Sequence, residues 1–264
     1  MGKDSMITIK LPEEIEKLKI AGKRLGEVLS HVAAHVKPGV STDYLNDLAE
    51  AKIAEFGDTP AFLGYKPDWA DSKYPAGLCV SVNDVVVHGI PNVDPIILQE
   101  GDSVGLDAGL VHEGMYVDSA LTVIVGEGDK ETRALVQTTK EALYKAIKAA
   151  RAGNTTGDIG HAVEEFVKEK GYGLVRDLAG HGVGYAVHEE PNIPNYGNPG
   201  EGPKLKPGMV IALEPMLNMG TGEVDFHPDG YTVTTADGQK SAHFEHTLVI
   251  TEGDPIVVTR RDNE

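Results

Sequence analysis

The chain has 264 residues, 41% of them hydrophobic, enough to build a large core as one big domain or two small ones. Its formal net charge of −17 argues against general affinity for nucleic acid, sequence-specific binding included, because a phosphate backbone is held by basic surface. No run approaches the roughly eighteen apolar residues of a membrane span, and the single cysteine, Cys79, excludes an internal disulfide and fits a reducing cytosol.

Residues 1–6 read as an N-terminal extension foreign to the domain, with Met6 the natural start, and Met1-Gly-Lys-Asp-Ser lacks the apolar core of a signal peptide. Pro12 suits a first helical position. Ile15, Leu18, Leu25, Val28, Leu29, Val32 and Val36 recur at helical spacing, so an amphipathic helix is expected over 12–36, stopped by Pro38-Gly39. Ser41 or Thr42 caps a second helix ending at Gly57. Residues 59–77 form a loop rich in proline, glycine and aromatic residues, among them Phe62, Tyr65, Trp69 and Tyr74. Such a loop either packs on the surface or lines a pocket for an apolar side chain. Leu78–Pro91 reads as strand, closed by His88; a lone histidine after an apolar run is more often structural than catalytic.

Gly105 to Val123 reads as two strands around a turn near Val111–Gly114, where Gly114 can take positive φ. A loop centred between His112 and Glu113 would set Asp107 directly opposite Asp118. Opposed Cβ atoms lie about 4.5–5.5 Å apart. Either both carboxylates are solvated on the open face of a hairpin, or they share a proton or a cation.

Residues 129–152 and 158–170 are expected to be helices. Lys140, Lys145, Lys148 and Arg151 mark the first of these as either a plain solvated face or a basic contact patch. Between Ala179 and Pro191, glycines surround His181, which calls for unusual backbone angles or close approach. The stretch lacks the Lys-Ser or Lys-Thr of a phosphate loop. Met209–Pro215 is a strand that ends on Glu214. Tyr231–Thr235 and Ser241–Ile250 read as a hairpin turning at Asp237-Gly238, with Glu245 on the second strand. Helices interleave with antiparallel hairpins and no linker divides the chain, which predicts an α+β fold in one compact domain.

Asp107, Asp118, Glu214 and Glu245 each sit in or beside an apolar strand, and no arginine lies in those strands. An unpaired buried carboxylate is costly. Four of them in one core require cations, and His181 adds a nitrogen donor. Such a hard, oxygen-rich donor set favours paired Mn, Fe, Co or Zn ions over a closed structural zinc. Paired metals of this kind sit ~3.5–4 Å apart and serve hydrolases such as aminopeptidases.

From about Ile7 to its C-terminus the chain resembles the type I methionine aminopeptidases, metallopeptidases of the "pita-bread" fold. The resemblance is carried by Val87-His-Gly-Ile-Pro91, Asp107 with Asp118, Gly180-His-Gly-Val-Gly184, His188-Glu-Glu-Pro191, Leu213-Glu-Pro-Met216 and Phe244-Glu-His-Thr247. It implies a curved antiparallel sheet with helices on its outer face, and residues 7–264 as a single catalytic domain. It implies that Asp107, Asp118, His181, Glu214 and Glu245 hold two divalent metals. By the same resemblance His88 contacts the scissile peptide nitrogen and His188 its carbonyl, and Glu214 shuttles a proton. Tyr65, Cys79 and Tyr231 line the methionine pocket, while Asn83, Val85 and Ser241 form a Na⁺ or K⁺ site. The implied partner is a peptide or nascent-chain N-terminus, with transient ribosome contact, in a cytoplasmic monomer. The pocket departs from the family pattern. Val187 replaces an aromatic residue beside His188, Phe62 a smaller residue and Tyr231 a tryptophan, and the loop from Tyr65 to Tyr74 is longer than usual. Asp107-Ala-Gly and Gly-Tyr-Ala-Val-His also resemble the Xaa-Pro aminopeptidases and prolidases, which carry an additional N-terminal domain. Catalytically silent binding relatives have lost ligands that stand intact here.

Overall fold

Each of the segments expected to be helical is helical in the computed structural model, which describes residues 7–67, 70–261 and 264. The N-terminal extension 1–6 and Trp69 lie outside the described residues. The helices are α1 (Pro12–Ala33), α2 (Thr42–Glu55), α3 (Lys130–Ala149) and α4 (Thr156–Lys168). Helix α1 buries Leu18, Leu25, Val28, Leu29 and Val32, the stripe read from the sequence. It stops before Val36, where His35 and Val36 donate to carbonyls three residues back and tighten the end into a turn. Helix α4 starts two residues earlier than expected. Thr155 and Asp158 form a reciprocal capping box there, and that box fixes the first turn.

The strands are β1 (Thr59–Pro60), β2 (Leu78–Val82), β3 (Val85–Val87), β4 (Ser103–His112), β5 (Met115–Ile124), β6 (Gly173–Leu174), β7 (Ala179–Gly182), β8 (Glu189–Pro194), β9 (Val210–Leu213), β10 (Met216–Asn218), β11 (Val224–Phe226), β12 (Val233–Thr235), β13 (Ser241–His243), β14 (Glu245–Val249) and β15 (Ile256–Val257). The main sheet runs β1-β4-β5-β14-β9-β7-β8, with β2 also on β4 and β15 on β14, and every pairing in it is antiparallel. Along β4 the side chains alternate. Val104, Leu106, Ala108 and Leu110 enter the core with α1 and α2, so Asp107 is turned to the opposite face. Leu135, Leu143 and Ile159 of α3 and α4 form a second core with Ile211, Leu213 and Leu248 of β9 and β14. This is the α+β pita-bread arrangement expected from the sequence.

Two local expectations are corrected. The β4–β5 turn is a two-residue loop in which Glu113 and Gly114 both take positive φ, 47° and 82°, and His112 faces Met115. This left-handed pair suits the twist of a tight hairpin. It places the turn centre one residue later than expected, so Asp107 faces Ala120 and Asp118 faces Gly109. A slip of this kind moves the pairing by two and keeps both acids on one face. The second correction concerns 231–250. A turn exists at Asp237-Gly238, but β12 pairs with β3 and β11 while β13 pairs with β10 and β14 lies in the main sheet. Alternation reports which side of a strand is buried and carries no information about the neighbour. The strand read over Leu78–Pro91 is also divided, at Asn83, which takes φ +55°.

Candidate metal centre and specificity pocket

One row of residues crosses the main sheet: Cys79 faces Asp107, Asp107 faces Ala120, and Ala120 faces Glu245. Directly opposed residues share a face, and so do residues two apart on one strand, so Asp118 belongs to the same face. Asp107 and Asp118 are therefore diagonal neighbours with Cβ atoms roughly 7–8 Å apart, and their side chains interact directly. Ala120, fully buried, keeps the centre of the row shallow. On the next strands His181 faces Ala212, and Glu214 follows two residues later. The Asp118 backbone is tied to β14 by Thr247, whose hydroxyl accepts its N–H at 2.9 Å and donates to its carbonyl at 2.7 Å.

The acids and the imidazole expected to act together do converge. Asp107, Asp118, His181, Glu214 and Glu245 line one cavity with His88 and His188. Ligand atoms of Asp118, His181 and Glu245 all lie within 4.8 Å of one another. The Nε2 of His181 is 3.4 Å from Glu214 Oε1. Burial pushes the Asp107 carboxyl up to about 7. It drives Asp118, Glu214 and Glu245 well above the ordinary carboxylate range, with the neighbouring acids adding repulsion. The same burial lowers His181 to about 4 and leaves it a neutral nitrogen donor. One oxygen each of Asp107, Asp118 and Glu245 is buried with no hydrogen-bond partner. Orphaned carboxylate oxygens around a neutral imidazole fit divalent cations, which need such donors and remove their protons. None of the described lysines or arginines lines the cavity.

The cavity holds about 70 Å³, several times the roughly 10–15 Å³ that one water needs. Its other walls are Phe62, Tyr65, Pro67, Tyr74, Cys79 and Tyr231, so the 59–77 loop lines a pocket. Phe62 packs against Gly109, where any Cβ would meet its ring at 2.9 Å. Tyr231 packs edge-on against Tyr74 and donates its hydroxyl to Ser72 O at 2.6 Å. The Cys79 thiol is raised by burial and then by Asp107, so it presents neutral, polarisable sulfur. Val187 is buried in the same apolar cluster. His188 stands at the exposed mouth, its ring 4.5 Å from that of His181 and its Nδ1 2.7 Å from the Tyr65 hydroxyl. Half-buried His88 takes φ +59°, a left-handed conformation that few non-glycine residues adopt.

Away from the cavity, the Asn83 carbonyl accepts the Ser241 N–H at 2.8 Å, and the Ser241 carbonyl accepts the Ser103 hydroxyl at 3.1 Å. Val85 lies two residues on, at the start of β3. The basic residues of the candidate patch, on α3 and just past its end, are largely engaged. Lys140 pairs with Glu264, Lys145 lies over the Phe166 ring, and Arg151 pairs with Asp254.

Residues 16–252 match the model of metallopeptidase family M24. The chain belongs to this family. It is 48% identical to a methionine aminopeptidase of Aquifex aeolicus over 93% of this chain and 96% of that protein. A solved methionine aminopeptidase of Thermotoga maritima is 43% identical, with TM-score 0.92 over 97% of this chain and all of that one. A prolidase of Pyrococcus horikoshii shares the fold alone, at 21% identity and TM-score 0.76 over 97% of this chain and 65% of its own. A metallopeptidase of family M24 depends on divalent metal, which agrees with the donor set on the main sheet.

One feature of this M24 site escapes the sequence reading. His243 is buried with its Nε2 making no hydrogen bond, 3.8 Å from Glu214 Oε2. A polar residue two positions from Glu245 was the available signal. Tyr74, one of the loop aromatics read as a possible pocket wall, lines the pocket and donates its hydroxyl to Gly89 O at 2.9 Å.

Proposed function

We propose that the chain is a dinuclear-metal aminopeptidase that removes the N-terminal methionine of peptides and new proteins. The observation that carries this reading is a set of buried carboxylates with orphaned oxygens at the end of a small aromatic- and sulfur-walled pocket. Asp107, Asp118, His181, Glu214 and Glu245 would hold two divalent ions, Co, Mn, Fe or Zn. Bound there, such ions supply Lewis acidity at the scissile carbonyl and a water whose pKa is lowered toward ~7. Glu214, ionised as a ligand, takes the proton of the attacking water and passes it to the leaving amine. His188 donates to the developing oxyanion. A hydroxyl given by Tyr65 to Nδ1 leaves the ring hydrogen on Nε2, free to make that bond. His88 contacts the scissile peptide nitrogen.

A methionine side chain, flexible and polarisable, suits the space between Phe62, Tyr65, Cys79 and Tyr231, where sulfur meets aromatic rings, and Val187 of the same apolar cluster would act on it through these walls. Residues 7–264 act as one catalytic unit, a monomer in the cytoplasm. Asn83, Val85 and Ser241 offer carbonyl oxygens with remaining lone pairs to Na⁺ or K⁺. Ribosome contact, where new chains emerge, would use what remains free of the α3 face. Metal-free protein should be given each metal in turn and assayed on Met-Ala-, Leu-Ala- and Ala-Pro- peptides. One methylene is worth only ~1–3 kcal/mol in an apolar pocket, so leucine is discriminated modestly. Faster cleavage of the Ala-Pro peptide would end the methionine reading.

A further inference from the structure

The connection from β7 to β8, residues 183–188, carries His188 to the mouth of the pocket, while Val187 is buried in the neighbouring apolar cluster and does not line the cavity. Its internal tie is the side chain of Glu189, whose Oε1 accepts the backbone N–H groups of Tyr185 and Ala186, the second at 3.0 Å. The other carboxylate oxygen is taken by the N-terminal segment. Thr8 donates its hydroxyl to Oε2 at 2.6 Å, and Lys10 places its ammonium on the same oxygen at 2.6 Å. This pair is sealed, with side-chain exposures of 1% for Lys10 and 9% for Glu189. Lys10 is in turn anchored by its backbone N–H on Gly208 O at 2.8 Å, and its stem crosses Gly184, where any Cβ would strike it. Tyr185 completes the tie, with its ring 4.8 Å from Lys10 Nζ and its hydroxyl on Glu14 at 2.7 Å. A buried carboxylate that loses its only cation is left uncompensated, and the bonds it makes to the turn then compete with a search for a new partner.

We infer that Thr8 and Lys10 form an N-terminal strap that positions the His188 turn through Glu189, so that residues more than 170 positions upstream set the catalytic geometry of His188. Neither strap residue lines the cavity, so both act through the turn. The inference rests on the oxyanion role proposed for His188. Misplacement of a reacting group by about 1 Å can cost ~10²-fold in rate. Lys10→Met should therefore lower kcat by ~10–10²-fold, with KM for Met-Ala-Ser and bound metal near wild type.

The test is a double-mutant cycle of Lys10→Met with His188→Ala, read as kcat, KM, metal content and melting temperature. Thr8→Val serves as the second strap variant, because it removes the hydroxyl's bonds to Glu189 and Lys10 and strands no charge. The expected result is a kcat loss for Lys10→Met, a smaller loss for Thr8→Val, and no further loss from either once His188 is alanine. Unchanged kcat in Thr8→Val, whether or not Lys10→Met folds, would overturn the strap. So would strap losses that persist at full size in the His188→Ala background, since the segment would then act elsewhere. If His188→Ala itself leaves kcat unchanged, the reading of His188 fails first, and that single variant shows it.

Discussion

The floor and the rim of the cavity are built in opposite ways. The floor is sheet. Asp107, Ala120, Glu245 and Cys79 are set by strand register, and backbone ladders on both sides hold the strands of the first three. The rim is loop and turn, held by a few side-chain bonds between distant segments: Tyr65 to His188, Glu189 to Thr8 and Lys10, Tyr231 to Ser72. A ladder tolerates the loss of one side chain, whereas a turn held by one carboxylate does not. On the proposed function, the floor would decide whether chemistry occurs, and the rim how well the substrate and oxyanion are placed.

The largest effect should come from breaking the floor. Asp118→Ala removes a carboxylate and leaves the register intact, so turnover should vanish and metal content should fall while the fold persists. Wild-type turnover and metal content in this variant would mean that the acids are not a metal centre. Breaking the rim should do less. His188→Ala and His88→Ala should each lower kcat at near-normal metal stoichiometry, the first by on the order of 10²–10³, as for an oxyanion donor. Loss of metal in either variant would make that histidine a ligand and erase the distinction between floor and rim. Tyr65→Phe should give the smallest change, a lower kcat from a freed His188 ring with an apolar wall still present. A kcat equal to wild type would show that the ring does not need that hydroxyl.

The same division governs what the sequence discloses. Helix stripes and the acids in apolar strands are local patterns, so the four helices and the candidate ligands were legible, whereas the Thr155 cap was not read and Ser41 makes no side-chain cap bond. Face follows from a period of two, which is why Asp107 and Asp118 were put on one face even with the turn misplaced by one residue. The positive φ of Glu113 hid the true register, because glutamate gives no sign that it will adopt that conformation. Strand partners were not legible either. The segment 231–250 has two alternating runs and a turn, yet its strands join separate sheets, since pairing is decided by tertiary packing. The rim was least visible of all: that Lys10 meets Glu189, or Tyr65 meets His188, follows only from the folded path.

Melting of the metal-free protein, with and without added Mn²⁺ or Co²⁺, at about pH 4.5 and pH 7 tests the central claim most directly. Without metal, Asp107 titrates near 7 in the folded chain and near ~4 when unfolded. Its protonated form thus stabilises the fold fully below about pH 4, and that contribution is lost as pH rises toward 7. Metal needs the ionised ligands, so its stabilisation grows over the same window. The account predicts a small metal-induced rise in Tm at pH 4.5 and a large one at pH 7 that saturates at two equivalents. It also predicts that Asp118→Ala loses most of the pH 7 rise. An unchanged Tm on adding metal at pH 7, or an equal rise in Asp118→Ala, would contradict it.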